Sequence, residues 1–227
     1  MTIDVEGLTL SHYLRSGNAL SSAPYQTLIG DDPVWTGFFT AHPDRLTVAA
    51  GGDYSGLASA WASRKTGSAL ALTQAVSTAR PSYLAAGGPL GRGCLRFLNA
   101  GTDSLVADVT PVVSGNIAIA AALRTDGQAS GSMYFASSGT TGNRFILQLG
   151  SQGGQPNHLI ARAGASGSEA LVAMPCPLGE WFLALMVWNP ATKSVSLSLN
   201  GGDFVSASNP AAVVDVATMM IGGGGST

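Results

Sequence analysis

The side chains that could do chemistry are few in this chain and stand apart. The three histidines, His12, His42 and His158, occur singly, so none brings the neighbours a metal site or an acid–base pair needs. They are read as loop or surface residues. Cys94 and Cys176 are 82 positions apart and could pair only if the fold brings them together. The favoured reading is two buried thiols acting as small hydrophobes. No nucleophile elbow, phosphate loop or clustered metal motif is found. The Gly-rich tail Ile221–Thr227 precedes no helix that could aim its dipole at a phosphate, so it reads as a turn.

Composition narrows the function classes further. Charged residues make up 11 % of the 227 positions, against about 25 % in an ordinary globular chain. Only Lys65 and Lys193 are lysines, and 30 glycines with abundant Ala, Ser and Thr stand where charged groups would. Such a surface suits a chain that faces partner subunits or belongs to a rigid extracellular or particle-bound protein. A net charge of −2 provides no clustered basic surface for phosphates, so nucleic acid is not expected as a partner. The N-terminal run MTIDVEGLTLSHYLR has no basic segment ahead of an apolar one, and no window reaches about 18 apolar residues. Neither a secretion signal nor membrane insertion is expected.

The elements that must position any site read as strands. Residues 181–200, WFLALMVWNPATKSVSLSLN, form a hairpin around which the chain is organised. Val195, Leu197 and Leu199 alternate with Ser194, Ser196 and Ser198, the period of a half-buried strand. Trp181 to Trp188 is apolar throughout, which predicts cover on both faces. Pro190 fixes the turn between the arms. Further short strands are expected at Ala69–Thr73, Cys94–Leu98, Ser104–Val106, Asn116–Arg124, Ser132–Ala136, Arg144–Leu149, His158–Arg162, Glu169–Met174 and Val213–Ile221, each bounded by Gly, Pro, Asn or Ser. No convincing helix is found. Within 117–123, Ile117, Ile119, Ala121 and Leu123 share one face, while Ala118, Ala120 and Ala122 leave the other small enough for close approach by another layer. Residues 1–32 read as an arm or anchoring segment with a strand-like run at Leu8–Leu14, and 33–227 as one domain.

The run LASAWASRKTGSALALTQAVSTARPSYL carries Trp61 before a small polar turn, then Gln74, then the Arg80–Pro81 pair leading into a strand. CLRFLNAGTDSL, RFILQL, WFLALMVW, SLSLNGG and MMIGGGG follow in order. This ordered set resembles the laminin-G-like jelly-roll branch of the concanavalin A-like lectin/glucanase superfamily, over residues 33–227. The resemblance implies an all-β, two-sheet antiparallel jelly-roll sandwich. Relatives continue past the glycine-rich turn into one more strand, so the resemblance implies a missing strand and an open edge here. The leader, Thr2–Leu14, or a neighbouring copy's leader is expected to fill it, with Leu8, Leu10, Tyr13 and Leu14 as assembly residues.

Glucanases of the superfamily carry a Glu-x-Asp-x-(x)-Glu strand, since retaining hydrolysis needs two carboxylates about 5–5.5 Å apart. That strand is missing, and the glutamates are Glu6, Glu169 and Glu180 alone. An enzyme is therefore not expected. Some relatives hold calcium, and the corresponding candidates are Asp53, Asp103 and Asp203, although turn chemistry explains each without a metal. No cofactor is expected. Sugar binding, which the resemblance also implies, needs an aromatic platform beside polar groups; Tyr54, Tyr134 and Trp188 are the candidates. The functional expectation is a non-catalytic structural or adhesive subunit of a bacteriophage-like virion, a head fibre, decoration or tail-associated protein. Its partners would be its own copies, other virion proteins and cell-surface glycans. The alternative is a stand-alone carbohydrate-binding module.

Overall fold

The computed structural model describes residues 4–5, 8–9, 45–48, 56–63, 69–97, 103–112, 116–125, 132–138, 143–152 and 155–222. Its strands are β1 (Asp4–Val5), β2 (Leu8–Thr9), β3 (Leu46–Val48), β4 (Ala58–Ala62), β5 (Ala71–Thr73), β6 (Ser82–Leu84), β7 (Cys94–Arg96), β8 (Ser104–Val112), β9 (Ile117–Arg124), β10 (Ser132–Ser138), β11 (Arg144–Gln152), β12 (Gln155–Gly164), β13 (Ala170–Pro175), β14 (Trp181–Asn189), β15 (Ser194–Leu199), β16 (Val205–Ser208) and β17 (Val216–Gly222). Two 3-10 turns, Ser77–Ala79 and Pro89–Gly91, interrupt them. No described helix is long and apolar enough to cross a membrane.

The architecture is an all-β, two-sheet antiparallel jelly-roll sandwich. A nine-stranded sheet runs β13-β12-β11-β10-β17-β8-β5-β4-β3, and a four-stranded sheet runs β16-β15-β14-β9. The chain crosses between them repeatedly: β8 lies in the large sheet, β9 in the small one, β10–β13 in the large, β14–β16 in the small and β17 in the large. The pairs β6–β7 and β1–β2 are separate two-stranded ladders. Most of the core lies where the small sheet covers β11–β13. Phe145, Leu147 and Leu149 meet Phe182, Met186, Trp188, Val195 and Leu197 there, all at most 3 % exposed.

The hairpin is formed as the sequence predicts. β14 and β15 pair from Ala184↔Leu199 to Asn189↔Ser194, and the Asn189 carboxamide oxygen accepts the Ala191 and Thr192 N–H groups at 2.9 and 3.4 Å, forming the turn. Lys193 takes φ +51° to close it. At the other end, Asn200 and Gly201, with φ +52° and +74°, make the type I′ corner that suits a two-residue hairpin. The Gly202 N–H reaches the Leu199 carbonyl across this corner.

Two expectations are corrected. Among the described residues, cover on both faces of β14 is not found: its burial alternates, with Phe182, Ala184, Met186 and Trp188 inside and Trp181, Leu183, Leu185 and Val187 only half-buried. Their outer-face neighbours are the alanines of β9 and the serines of β15, too short to cover them. Nor does the expected open edge lie beside β17, the strand ahead of the glycine-rich turn: it is internal, paired with β10 on one side and β8 on the other. It therefore offers the leader no open edge. Within the leader, Leu8 pairs with Val5 in the β1–β2 ladder. Leu10, Tyr13 and Leu14, and the expected boundary at 32/33, lie outside the described residues.

Candidate ligand-binding surface

The large sheet opens a groove where two of its strands separate. β5 meets β8 at a single register pair, Thr73↔Val106, and the gap leaves a cavity of about 370 Å³ lined by Ala69, Leu70, Ala71, Thr73, Val106, Ala107 and Asp108. Strand parity decides what faces it. Leu72 and Leu105 are fully buried toward the core, so Ala71, Thr73, Val106 and Asp108 point to the opposite, solvent side. Thr73 and Asp108 are exposed. The groove thus presents a carboxylate and a hydroxyl on a floor of small apolar side chains.

The segment after β5 is held by residues named in the sequence pattern, and their roles are structural. The Gln74 carboxamide donates to the Ser104 carbonyl and hydroxyl at 3.2 and 3.0 Å, and its oxygen accepts the Val76 N–H at 3.0 Å. The Arg80 guanidinium donates to the Gln74 and Ala75 carbonyls, both at 2.9 Å. Pro81 is fully buried, with its carbonyl accepting the Ala58 N–H at 2.8 Å. Trp61 pairs in register with Leu72 and packs on the small core behind the groove. These contacts pin one wall of the groove to β8, the other wall.

The sequence-derived site residues are not brought together. Trp188 is 2 % exposed inside the main core, which corrects its reading as a sugar platform: no ring face reaches solvent. Tyr134 lies at the register shift of β10 between Met133 and Phe135. Tyr54 and Asp53 fall outside the described residues. Asp103 is buried at the head of β8 in the large sheet, whereas Asp203 is exposed between β15 and β16 in the small one. Among the described residues no three His, Cys, Asp or Glu side chains gather where they could hold a metal ion. Glu169 is joined to Arg162 at 3.3 Å, and Glu180 is exposed just before β14. His158 sits on β12, with its ring nitrogen 3.2 Å from the Pro156 carbonyl, and the other two histidines fall outside the described residues.

Both cysteines are free thiols, but of the two expected to be buried only Cys176 is, Cys94 being half-buried. Burial pushes the Cys176 thiol up to about 11, and the thiol lies 3.5 Å from the Pro177 carbonyl, to which it donates. Burial also raises Cys94, against the pull of the Arg124 and Arg96 guanidinium groups.

Sequence reasoning missed Thr73 and Asp108 as a pair. The strand at Ser104 was expected to end at Val106, whereas β8 continues to Val112. The signal was present in the alternation of Leu105 and Ala107 against Val106 and Asp108, interrupted only by the small size of Ala107.

No protein-family model matches the chain, and no curated protein matches it in sequence. Among solved structures it is similar to the mouse laminin α1 chain, domains LG4-5, at 20 % identity and a TM-score of 0.41 over 54 % of this chain and 32 % of that one. It is also similar to the heptameric SAP-like pentraxin of Limulus polyphemus, at 12 % identity and 0.38, over 52 % and 56 % respectively. The agglutinin CG-16 from chicken liver gives 14 % and 0.36, over 53 % and 92 %. The match thus spans about a third of the laminin chain and just over half of the pentraxin.

Proposed function

We propose that this chain is a non-catalytic carbohydrate-binding module that takes a glycan segment in the groove between β5 and β8. The observation that carries the reading is that the exposed Asp108 and Thr73 line one cavity of about 370 Å³ together with Ala71 and Val106, the Thr73 hydroxyl donating to the Val106 carbonyl at 3.5 Å. Vicinal sugar hydroxyls donate to a carboxylate, while the C–H face of the ring rests on small apolar side chains. The described lining holds no aromatic platform, so affinity rests on the carboxylate and is modest. A hydrogen bond to a charged acceptor contributes about 1.5–3 kcal/mol. Calorimetric titration of a neutral-oligosaccharide panel tests this. Binding that falls about tenfold or more in Asp108→Asn supports it. Absence of binding across the panel, or binding unchanged in Asp108→Asn and Thr73→Val, overturns it.

A second reading places the module in a bacteriophage-type particle, as a structural or adhesive subunit among copies of itself and other virion proteins. Its support is compositional: 11 % charged residues and two lysines leave an exterior suited to contact with other subunits. Electron microscopy of purified particles with an antibody to this chain tests it, and unlabelled particles would overturn it.

A further inference from the structure

The outer face of the small sheet carries a pattern that the groove does not explain. On β14 the half-buried Leu183, Leu185 and Val187 stand in a row. Register sets each of them beside an alanine of β9: Leu183↔Ala122, Leu185↔Ala120 and Val187↔Ala118. Those alanines are exposed. A raised apolar ridge therefore runs along a floor of methyl groups of nearly equal length. At the end of this strip Trp181 is in register with the exposed Arg124, and exposed Glu180 precedes it. β9 is the last strand of its sheet among the described residues.

We propose that this strip pairs face to face with the same strip of a second copy of this chain, about a two-fold axis running along the strands. That operation lays the β14 ridge of each copy over the β9 floor of the other, which is the self-complementarity an isologous contact requires. Because the axis follows the strands, like ends superpose. The Arg124 guanidinium of each copy then lies over the Trp181 indole and beside the Glu180 carboxylate of the other, joining opposite charges and a cation with a ring face. The alternative in-plane axis, perpendicular to the strands, stacks ridge on ridge and floor on floor and brings Arg124 over the Ile117 end of β9, with no such match.

Size sets the strength of the contact. Eight residues at ~3.4 Å, and two strands ~4.8 Å apart with their margins, give about 300–400 Å² per copy. That is roughly half the ~800 Å² per partner of a standard interface, so the pair is a weak, concentration-dependent dimer. The groove lies on the face of the large sheet turned away from the small one. Both copies thus keep it open, and the two grooves face opposite ways, so the dimer would bridge two glycan-bearing surfaces rather than grip one twice.

Sedimentation velocity of the full chain from about 5 μM to about 1 mM tests the proposal directly, over the range where a weak dimer dissociates. The expected result is a mass that rises from monomer toward dimer. Leu185→Glu and Ala120→Glu each shift the midpoint at least tenfold, with circular dichroism showing that the fold is kept. Ala120 is exposed, so its variant remains informative if Leu185→Glu fails to fold. Arg124→Glu and Glu180→Arg each weaken association, and the double variant regains it. A monomer throughout the series overturns the proposal. So does a dimer indifferent to both Glu substitutions, or one that the charge exchange does not restore.

Discussion

The two halves of the large sheet share strand chemistry but differ in what covers them. Where the small sheet lies over β11–β13, eighteen buried residues among those described form one continuous core, with Trp188 and Phe145 among them. Around β5 and β8 the corresponding cluster is Leu72, Leu105 and Ala107, with Trp61, Leu70, Leu95, Met219 and Ile221 only partly buried against it. The groove opens in this thinly backed half. Dense packing leaves no room for a ligand, and a wall held by the hydrogen bonds of Gln74 and Arg80 supports a gap that side-chain packing would fill.

The largest expected effect is in the dense half. Trp188→Ala removes a fully buried ring and costs about 3–5 kcal/mol, a large share of the roughly 5–15 kcal/mol that keeps an ordinary domain folded. Leu72→Ala, in the thin half, falls near the lower end of the 2–5 kcal/mol range, about 2 kcal/mol, because its partly exposed surroundings can collapse into the space. Urea unfolding of the two variants side by side checks the order. Equal losses would erase the contrast between the halves.

Gly222→Ala probes the thin half through its backbone. Gly222 sits at φ +81°, and an added Cβ would run into the Phe97 ring and the Asp103 carbonyl. A strained left-handed residue costs of order 1–3 kcal/mol before that overlap is counted. A total loss above about 2 kcal/mol is therefore expected, read from the urea midpoint. A near-neutral variant would show that Phe97 moves aside freely.

The smallest effect separates the two thiols. Cys176 belongs to the dense core and its pKa is raised from 9.0 to about 11, whereas Cys94 is only half-buried. At pH 8 a thiol reagent should modify Cys94 first and reach Cys176 only on unfolding. The sign for stability follows from the raised value. The native state holds the proton more tightly than the unfolded one, so the contribution is complete below pH 9 and is lost as pH rises from 9 toward 11. Urea midpoints should decline over that window in the parent and less in Cys176→Ala. Equal modification rates at pH 8 would show that the dense half opens as readily as the thin one.

Much of the fold was legible because strand signals are local. The serines of β15, alternating with Val195 and Leu197, and Pro190 in the turn mark the hairpin without reference to any other residue. The all-β sandwich follows from many such segments. The candidate groove was far less legible. Thr73 and Asp108 are 35 positions apart, and their meeting depends on how β5 and β8 separate after one register pair. Trp188 illustrates the opposite failure: an aromatic at a strand end reads equally well as platform or core, and only its parity with Met186, fixed by the facing sheet, places it inside.

By itself the sequence determined the class of structure, the hairpin and the scarcity of charge, since period-two patterning, turn residues and composition are properties of neighbouring positions. Tertiary structure alone decided that β17 lies inside the large sheet, that β14 hides Trp188 and shows Trp181, and that a carboxylate and a hydroxyl share one groove. Those outcomes depend on which strands lie side by side and which face is covered. Long-range pairing fixes both, and no local pattern encodes it.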